Sequence, residues 1–258
     1  MAAIFREGNK FCQKLTVPCY ETDASFCLKP ASFMDMAQEI AYWAAQELGF
    51  GYDDLQKHKT AWVLSRMHIH FGNPPRWRDE VLLKTWHKGQ DGLFFLRDFE
   101  LLDREGRQAV TATSSWLVMD VETRRLVRNP QESGLLQGGS AGAGDAIAEP
   151  APKVVLPKDA EPEEAGIHVV SYSDVDILGH ANNARYVVWA MDCIGYDTLL
   201  QYRVGDLYVV FNKETVPGGT VRLYRTRTER EGTVVFHVEG RVDGKAAFCV
   251  QIDLHPLL

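Results

Sequence analysis

Residues 171–189 read SYSDVDILGHANNARYVVW, a run whose residue types suit chemistry on a carbonyl. An extended stretch ends in Asp174 and Asp176, a turn holds Gly179 and His180, and Asn182 and Asn183 lead into an apolar helical pattern. Asparagine at a helix start accepts hydrogen bonds from the first backbone N–H groups. Those N–H groups, with the positive end of the helix dipole, can also hold a developing oxyanion. Taken singly, an aspartate in a turn is a turn residue and an asparagine before a helix is a cap. Gathered beside an apolar helix, they point to a site for a polarised carbonyl.

Such a turn needs a helix and a sheet to hold it. The helix is predicted over 184–200, where Tyr186, Val187, Ala190, Cys193 and Ile194 share one face. Strand-like runs follow at 207–216, 220–229, 233–242 and 246–255, rich in β-branched and aromatic residues. The first half has the same order. An extended run at 15–23 precedes a helical pattern over 30–50, with Phe33, Ala37, Ile40, Ala41, Ala44 and Leu48 at spacings of three and four. Pro30 suits the first turn of that helix and Gly49 its end. Strand patterns occupy 62–71, 80–89, 93–103 and 109–120.

Asp176 lies 153 residues after Asp23, and the same offset places Tyr186 on Phe33. A helix followed by four antiparallel strands, twice, predicts an α+β fold of two hotdog units. Each sheet wraps a long helix, and joining the two into one continuous sheet would hide edge strands. The expected boundaries are 8–128, a linker over 129–165 rich in Gly, Ala, Pro, Ser and Glu, and 166–258. The offset also puts Cys27 where His180 stands and Pro30 where Asn183 stands. One site per chain is therefore expected, with the first half shaping a pocket whose wall candidates are Phe33, Met34, Met36 and Trp43.

Composition narrows the class. A net charge of −7 argues against nucleic acid as a partner. No run approaches the roughly 18 apolar residues of a membrane span. The opening MAAIFREGNKFCQKL lacks the pattern of a signal peptide. Five scattered cysteines without a CxxC pair fit a reducing cytoplasm, the expected location, better than a disulfide framework or a zinc site. His68 and His70 alternate to one face of a strand with no acidic third ligand apparent, so no metal is expected.

The chain resembles the acyl-acyl-carrier-protein thioesterases of plants and bacteria along most of residues 8–258. The resemblance rests on YETD (20–23), WVLSRMHI (62–69), PRWRDEV (75–81), TW (85–86), RDFELLDREG (97–106), ATSSWLVMD (112–120) and TRRL (123–126). In the second half it rests on LPKDA (156–160), SDVDILGHANNARY (173–186) and FNKET (211–215). It implies hydrolysis of fatty acyl-acyl carrier protein in fatty acid biosynthesis, without a cofactor. Asp176 matches the aspartate that orients the site, His180 the catalytic histidine and Glu214 the glutamate that activates water. Asn182 and Asn183, at the helix start, are expected to bind substrate. Leu178 stands where the family usually has asparagine, and Thr215 where plant members have a cysteine.

The implied partner is acyl carrier protein with its phosphopantetheine-linked chain. Because carrier proteins are acidic, docking requires a local basic patch on this acidic body. Arg124, Arg125 and Arg128 form one candidate, Arg76 and Arg78 the other. Asp192 on the second helix is a rival base. An acyl-CoA thioesterase, a hydroxyacyl dehydratase and a non-catalytic acyl-binding module remain open at this point. So does a homodimer, although two fused hotdogs already form the pair that single-hotdog chains build by dimerising.

Overall fold

The computed structural model describes residues 4–128 and 143–257. The first half runs β1 (Ile4–Glu7), β2 (Lys10–Thr16), α1 (Pro30–Glu47), α2 (Tyr52–Lys57), β3 (Thr60–Phe71), β4 (Glu80–Asp91), β5 (Phe94–Leu102) and β6 (Gln108–Asp120). The second runs β7 (Glu163–Val169), α3 (Asn183–Ile194), α4 (Tyr196–Leu199), β8 (Tyr202–Phe211), β9 (Thr220–Arg230), β10 (Thr233–Val242) and β11 (Lys245–Pro256). The strands form one 11-stranded sheet in the order β1-β2-β4-β5-β6-β3-β8-β11-β10-β9-β7. This is the tandem hotdog expected from the element order.

The halves meet where β3 pairs antiparallel with β8, from Arg66 opposite Val210 to His70 opposite Asp206. Those strands hold corresponding places in the two halves, so the junction repeats what a two-fold axis would make between separate chains. Among the described strands, pairing them leaves unpaired edges only at the far ends, β1 and β7. Both long helices lie in one continuous core. Phe33, Ala37 and Ile40 of α1, Tyr186, Val187 and Ala190 of α3, and Ile69, Leu207 and Val250 of the central strands are all buried in it.

The 153-residue offset holds in three dimensions, for Pro30 opens α1 and Asn183 opens α3. Pro30 suits a first turn because its missing N–H has no intrahelical partner there. Asn183 instead follows a capping asparagine: Asn182 Oδ1 accepts the N–H of Ala184 at 2.9 Å. The first strand begins at Ile4, ahead of the expected boundary at residue 8, and β7 begins at Glu163, inside the expected linker.

Residues 129–142 of that linker lie outside the described residues. From 143 to 162 the chain has no helix or strand, yet it is tied down. Trp86 Nε1 donates to the carbonyl of Gly144 at 2.9 Å, and the N–H of Ala146 donates to Asp98 Oδ2 at 2.8 Å. Further on, Val154 is buried against Val210 and Cys249 of the second half. Composition alone does not show this. A segment too polar to fold by itself gains its order from a sheet face already formed.

Candidate active site

His180 sits at the end of a tight turn just before α3. The N–H of Asp176 donates to the His180 carbonyl at 3.0 Å, and Asp176 Oδ1 accepts the N–H of Leu178 at 2.9 Å. Gly179 takes φ 79°, a left-handed conformation that glycine enters without the Cβ penalty. Asp176 thus fixes the turn that carries the imidazole. The next residue, Ala181, donates its N–H to the carbonyl of Thr215 at 2.9 Å. That backbone bond brings the segment after β8, and with it Glu214, alongside the turn.

Glu214 Oε1 lies 3.4 Å from His180 Nε2, with both side chains about one-third exposed at 33% and 31%. Asp176, His180 and Glu214 are therefore brought together. Thr215, next to Glu214, is buried: its Oγ1 lies 3.0 Å from the Tyr186 hydroxyl, which also accepts the Thr215 N–H at 3.0 Å. Tyr186 is the buttress for Glu214, a role that only the folded chain makes visible. Burial, ahead of its other surroundings, pushes the Tyr186 phenol up, so it remains protonated at neutral pH.

Asp174 anchors the same turn from behind. Its Oδ2 accepts from the Ser171 N–H at 2.8 Å and the Ser171 hydroxyl at 3.0 Å, and lies 2.9 Å from His168 Nε2. Its carbonyl accepts the N–H of Asn182 at 2.8 Å. Burial works to raise its carboxyl, but these hydrogen bonds outweigh it and hold the group below the usual carboxylate range.

The two asparagines divide. Asn183 lines the cavity described below, whereas Asn182 is occupied, with Oδ1 on Ala184 and Nδ2 donating to Gln38 Oε1 at 3.1 Å. The helix start is correspondingly less open to an oxyanion than the sequence suggests. The Ala184 N–H is taken by the cap, and the Arg185 N–H donates to the Asn182 carbonyl. Asp192, the rival base, is exposed on α3 and belongs to no contact described at His180 or Glu214.

A cavity of about 810 Å³ opens at this turn. Asp176, Ile177 and Leu178 form its second-half border, and its body lies in the first half among Tyr42, Ala45, Phe50, Leu55, Trp62, Phe95 and Trp116. Ile177 and Leu178 are exposed at 88% and 50%, an apolar lip on an otherwise polar turn. The four wall residues expected from α1 are not in its lining. Phe33 and Met34 are buried in the core, Met36 packs against that core, and Trp43 is exposed with Nε1 donating to Glu39 Oε1. The reason is geometric. The strongest apolar stripe of α1 faces the sheet, so the wall comes from its flank, through Gln38, Glu39, Ala41, Tyr42 and Ala45.

The arginines also separate. Arg124, in a turn after β6 with φ 58°, reaches across to pair with Glu214 Oε1. It is therefore part of the site, while Arg125 and Arg128 remain exposed beside it. Arg76 donates from Nη2 to the Ser25 carbonyl, and Arg78 stacks on Trp77 at 4.0 Å, both exposed on the first half. Among the described residues no group of three or more His, Cys, Asp or Glu side chains could hold a metal ion. His68 and His70 instead share Asp206 Oδ1, at 2.8 and 3.1 Å. Cys12, Cys19, Cys27, Cys193 and Cys249 are free thiols. No helix among the described residues is long and apolar enough to cross a membrane.

Two helices cradled by one continuous sheet, with a histidine–carboxylate pair at the turn whose residues Asp176–Leu178 border an apolar cavity, define the double-hotdog class. Within it the chain belongs to the acyl-ACP thioesterase family: the family's N-terminal domain matches residues 8–134 and its C-terminal domain residues 157–255. It is 28% identical over 222 residues to the palmitoyl-acyl carrier protein thioesterase of Gossypium hirsutum, covering 82% of this chain and 53% of that protein. With the oleoyl-acyl carrier protein thioesterase of Coriandrum sativum it shares 24% over 272 residues, 96% of this chain and 70% of the other. The chain thus spans between about half and seven-tenths of these relatives.

Its fold matches the 12:0-ACP thioesterase of Umbellularia californica with a TM-score of 0.82 at 19% identity, over 97% of this chain and 95% of that one. An acyl-ACP thioesterase from Bacteroides thetaiotaomicron gives 0.79 at 22%, over 96% and 98%.

Proposed function

We propose that this protein hydrolyses the thioester between a fatty acyl chain and the phosphopantetheine of acyl carrier protein, releasing free fatty acid and carrier protein. The observation that carries this reading is the 3.4 Å approach of Glu214 to His180, on the turn whose residues Asp176–Leu178 border a cavity of about 810 Å³. The acyl chain lies in the first-half cavity, with its carbonyl at the border formed by Asp176 and Asn183. Water held between Glu214 and His180 loses a proton to Glu214 as its oxygen bonds to the carbonyl carbon. The tetrahedral intermediate collapses, the carbon–sulfur bond breaks, and Glu214 passes the proton it took from water to the leaving thiolate, which restores the base.

A thioester carbonyl is already electrophilic, so positioning and a base suffice without a metal or cofactor. Thr215, hydrogen-bonded to Tyr186 and buried, offers no free nucleophile in place of the cysteine of plant members. Leu178 supplies an apolar lip where an asparagine would have supplied a polar contact. Arg125 and Arg128, exposed beside the paired Arg124, are the candidate contacts for the acidic carrier protein. Free cysteines accord with a reducing compartment such as the cytoplasm.

The test is a side-by-side assay of acyl-acyl carrier protein and acyl-CoA of equal chain length. A higher kcat/KM for the carrier-protein substrate is expected. Equal or better turnover of acyl-CoA would overturn the substrate assignment.

A further inference from the structure

Most of the cavity is apolar, but its polar lining includes one buried cation. Arg97, on β5, is buried at 7% exposure and lines the cavity together with His87 of β4, its cross-strand partner. Nη1 of Arg97 donates to Thr85 Oγ1 at 3.2 Å. No carboxylate forms an ion pair with it among the described residues. Glu39, the acid on the α1 side of the cavity, instead accepts from Trp43 Nε1 at 2.7 Å. The other cavity acid, Asp176, is engaged with the N–H of Leu178. Nδ1 of His87 is buried and has no hydrogen-bond partner in the described structure.

These two groups differ in charge. Burial draws Arg97 down to about 10, so it still carries its charge at neutral pH. Burial first, and the neighbouring Arg97 charge second, hold His87 down to about 4, so it is neutral. A guanidinium presents five N–H donors in a rigid fork, and a neutral imidazole one donor and one acceptor. A buried charge with so few partners is costly, and a plain hydrocarbon filling the cavity would displace solvent without replacing its hydrogen bonds.

We propose that the cavity receives an acyl chain bearing an oxygen acceptor (a hydroxyl, keto or carboxylate oxygen along or at the end of the chain), which Arg97 binds with His87 as second partner. The inference rests on the cavity being the acyl pocket of the proposed thioesterase. It goes beyond that reading by assigning a substrate class to named residues. Arg97 then acts on specificity, because a site built to donate hydrogen bonds discriminates strongly against the analogue that lacks the acceptor.

The experiment compares acyl carrier proteins loaded with chains of one length, either unsubstituted or carrying a hydroxyl at stepped positions or a terminal carboxylate. For at least one position, kcat/KM should exceed that of the unsubstituted chain by about tenfold or more. In Arg97→Met that ratio should fall to about one, and in Arg97→Lys to an intermediate value, since lysine keeps the charge without the fork. Should Arg97→Met fail to fold, the fall in Arg97→Lys remains the readout. Preference for the unsubstituted chain at every position, or a ratio unaltered by the substitutions, would overturn the proposal.

If no chain is turned over, the thioesterase reading fails instead. The inference is then read from binding of carrier proteins whose thioester sulfur is replaced by NH. About tenfold tighter binding of an oxygenated chain supports it, and equal or weaker binding of all of them refutes it.

Discussion

The turns at residues 23–29 and 176–182 have one backbone and two sets of side chains. In the first, the N–H of Asp23 donates to the Cys27 carbonyl at 2.8 Å; in the second, the N–H of Asp176 donates to the His180 carbonyl at 3.0 Å. Asp23 Oδ1 accepts the N–H of Ser25 at 2.8 Å, as Asp176 Oδ1 accepts that of Leu178 at 2.9 Å. Leu28 donates to the Pro75 carbonyl where Ala181 donates to that of Thr215, and Lys29 to Glu21 where Asn182 donates to Asp174. Phe26 and Gly179 occupy the same left-handed position, at φ 65° and 79°.

Against that shared frame, Cys27 replaces His180, Lys29 replaces Asn182 and Pro30 replaces Asn183. Pro74 stands beside the turn where Glu214 would be. Burial, aided by Asp23, pushes the Cys27 thiol up, so it carries no thiolate at neutral pH. The aspartate turn therefore belongs to the fold, and the chemistry resides in the side chains hung on it.

The comparison is broken most strongly at the groups that differ. His180→Ala and Glu214→Gln should each lower kcat by about a hundredfold, the usual worth of a positioned acid–base group. Cys27→Ala and Pro74→Ala should alter it by less than about twofold, roughly 0.4 kcal/mol of barrier. Steady-state kinetics with circular dichroism to check folding would decide. Equal losses in both halves would remove the asymmetry.

Anchoring comes next. Asp174→Asn should cost about 2 kcal/mol of stability in urea unfolding, because it weakens hydrogen bonds to a buried carboxylate. Its first-half counterpart, Glu21, is only half-buried, so Glu21→Gln should cost less. The sign with pH follows from the lowered Asp174 value. Its stabilisation is fully present above the unfolded carboxyl range near about pH 4 and is lost as pH falls through the lower folded value. Asp174→Asn should therefore flatten the acid limb of the stability–pH curve and leave the alkaline side unchanged in shape.

A smaller effect, about 1 kcal/mol, is expected for Gly179→Ala, since a Cβ there meets no neighbour and only the left-handed φ opposes it. Phe26→Gly should be nearer neutral, because relief of the same conformation offsets the lost stacking on Trp77. Thermal unfolding measures both. Within the site itself the smallest loss is predicted for Arg124→Met, about threefold in kcat, roughly 0.65 kcal/mol. Arg124 is half exposed, and solvent weakens its hold on Glu214.

The segments legible in the sequence were those where local pattern and tertiary role coincide. The 153-residue offset joined Asp23 to Asp176 and Pro30 to Asn183 because turn and helix start are local structures with strict backbone demands. Three features escaped because they depend on packing between distant segments. Periodicity located the apolar stripe of α1, with Phe33 and Met34, but a stripe that strong faces the sheet, and the cavity took the weaker flank with Tyr42 and Ala45. Arg124 read as a surface charge because its partner, Glu214, lies 90 residues further along the chain. Tyr186 read as an apolar helical position, although its hydroxyl holds the segment after β8 that presents Glu214.

A crystal structure with an acyl-pantetheine whose thioester sulfur is replaced by NH tests the division between the halves most directly. The account predicts the acyl chain among Tyr42, Phe50, Trp62 and Phe95, with its carbonyl carbon about 3.5 Å from a water shared by Glu214 and His180. A carbonyl seated at the Cys27 turn, or a chain lying outside the cavity, would contradict it.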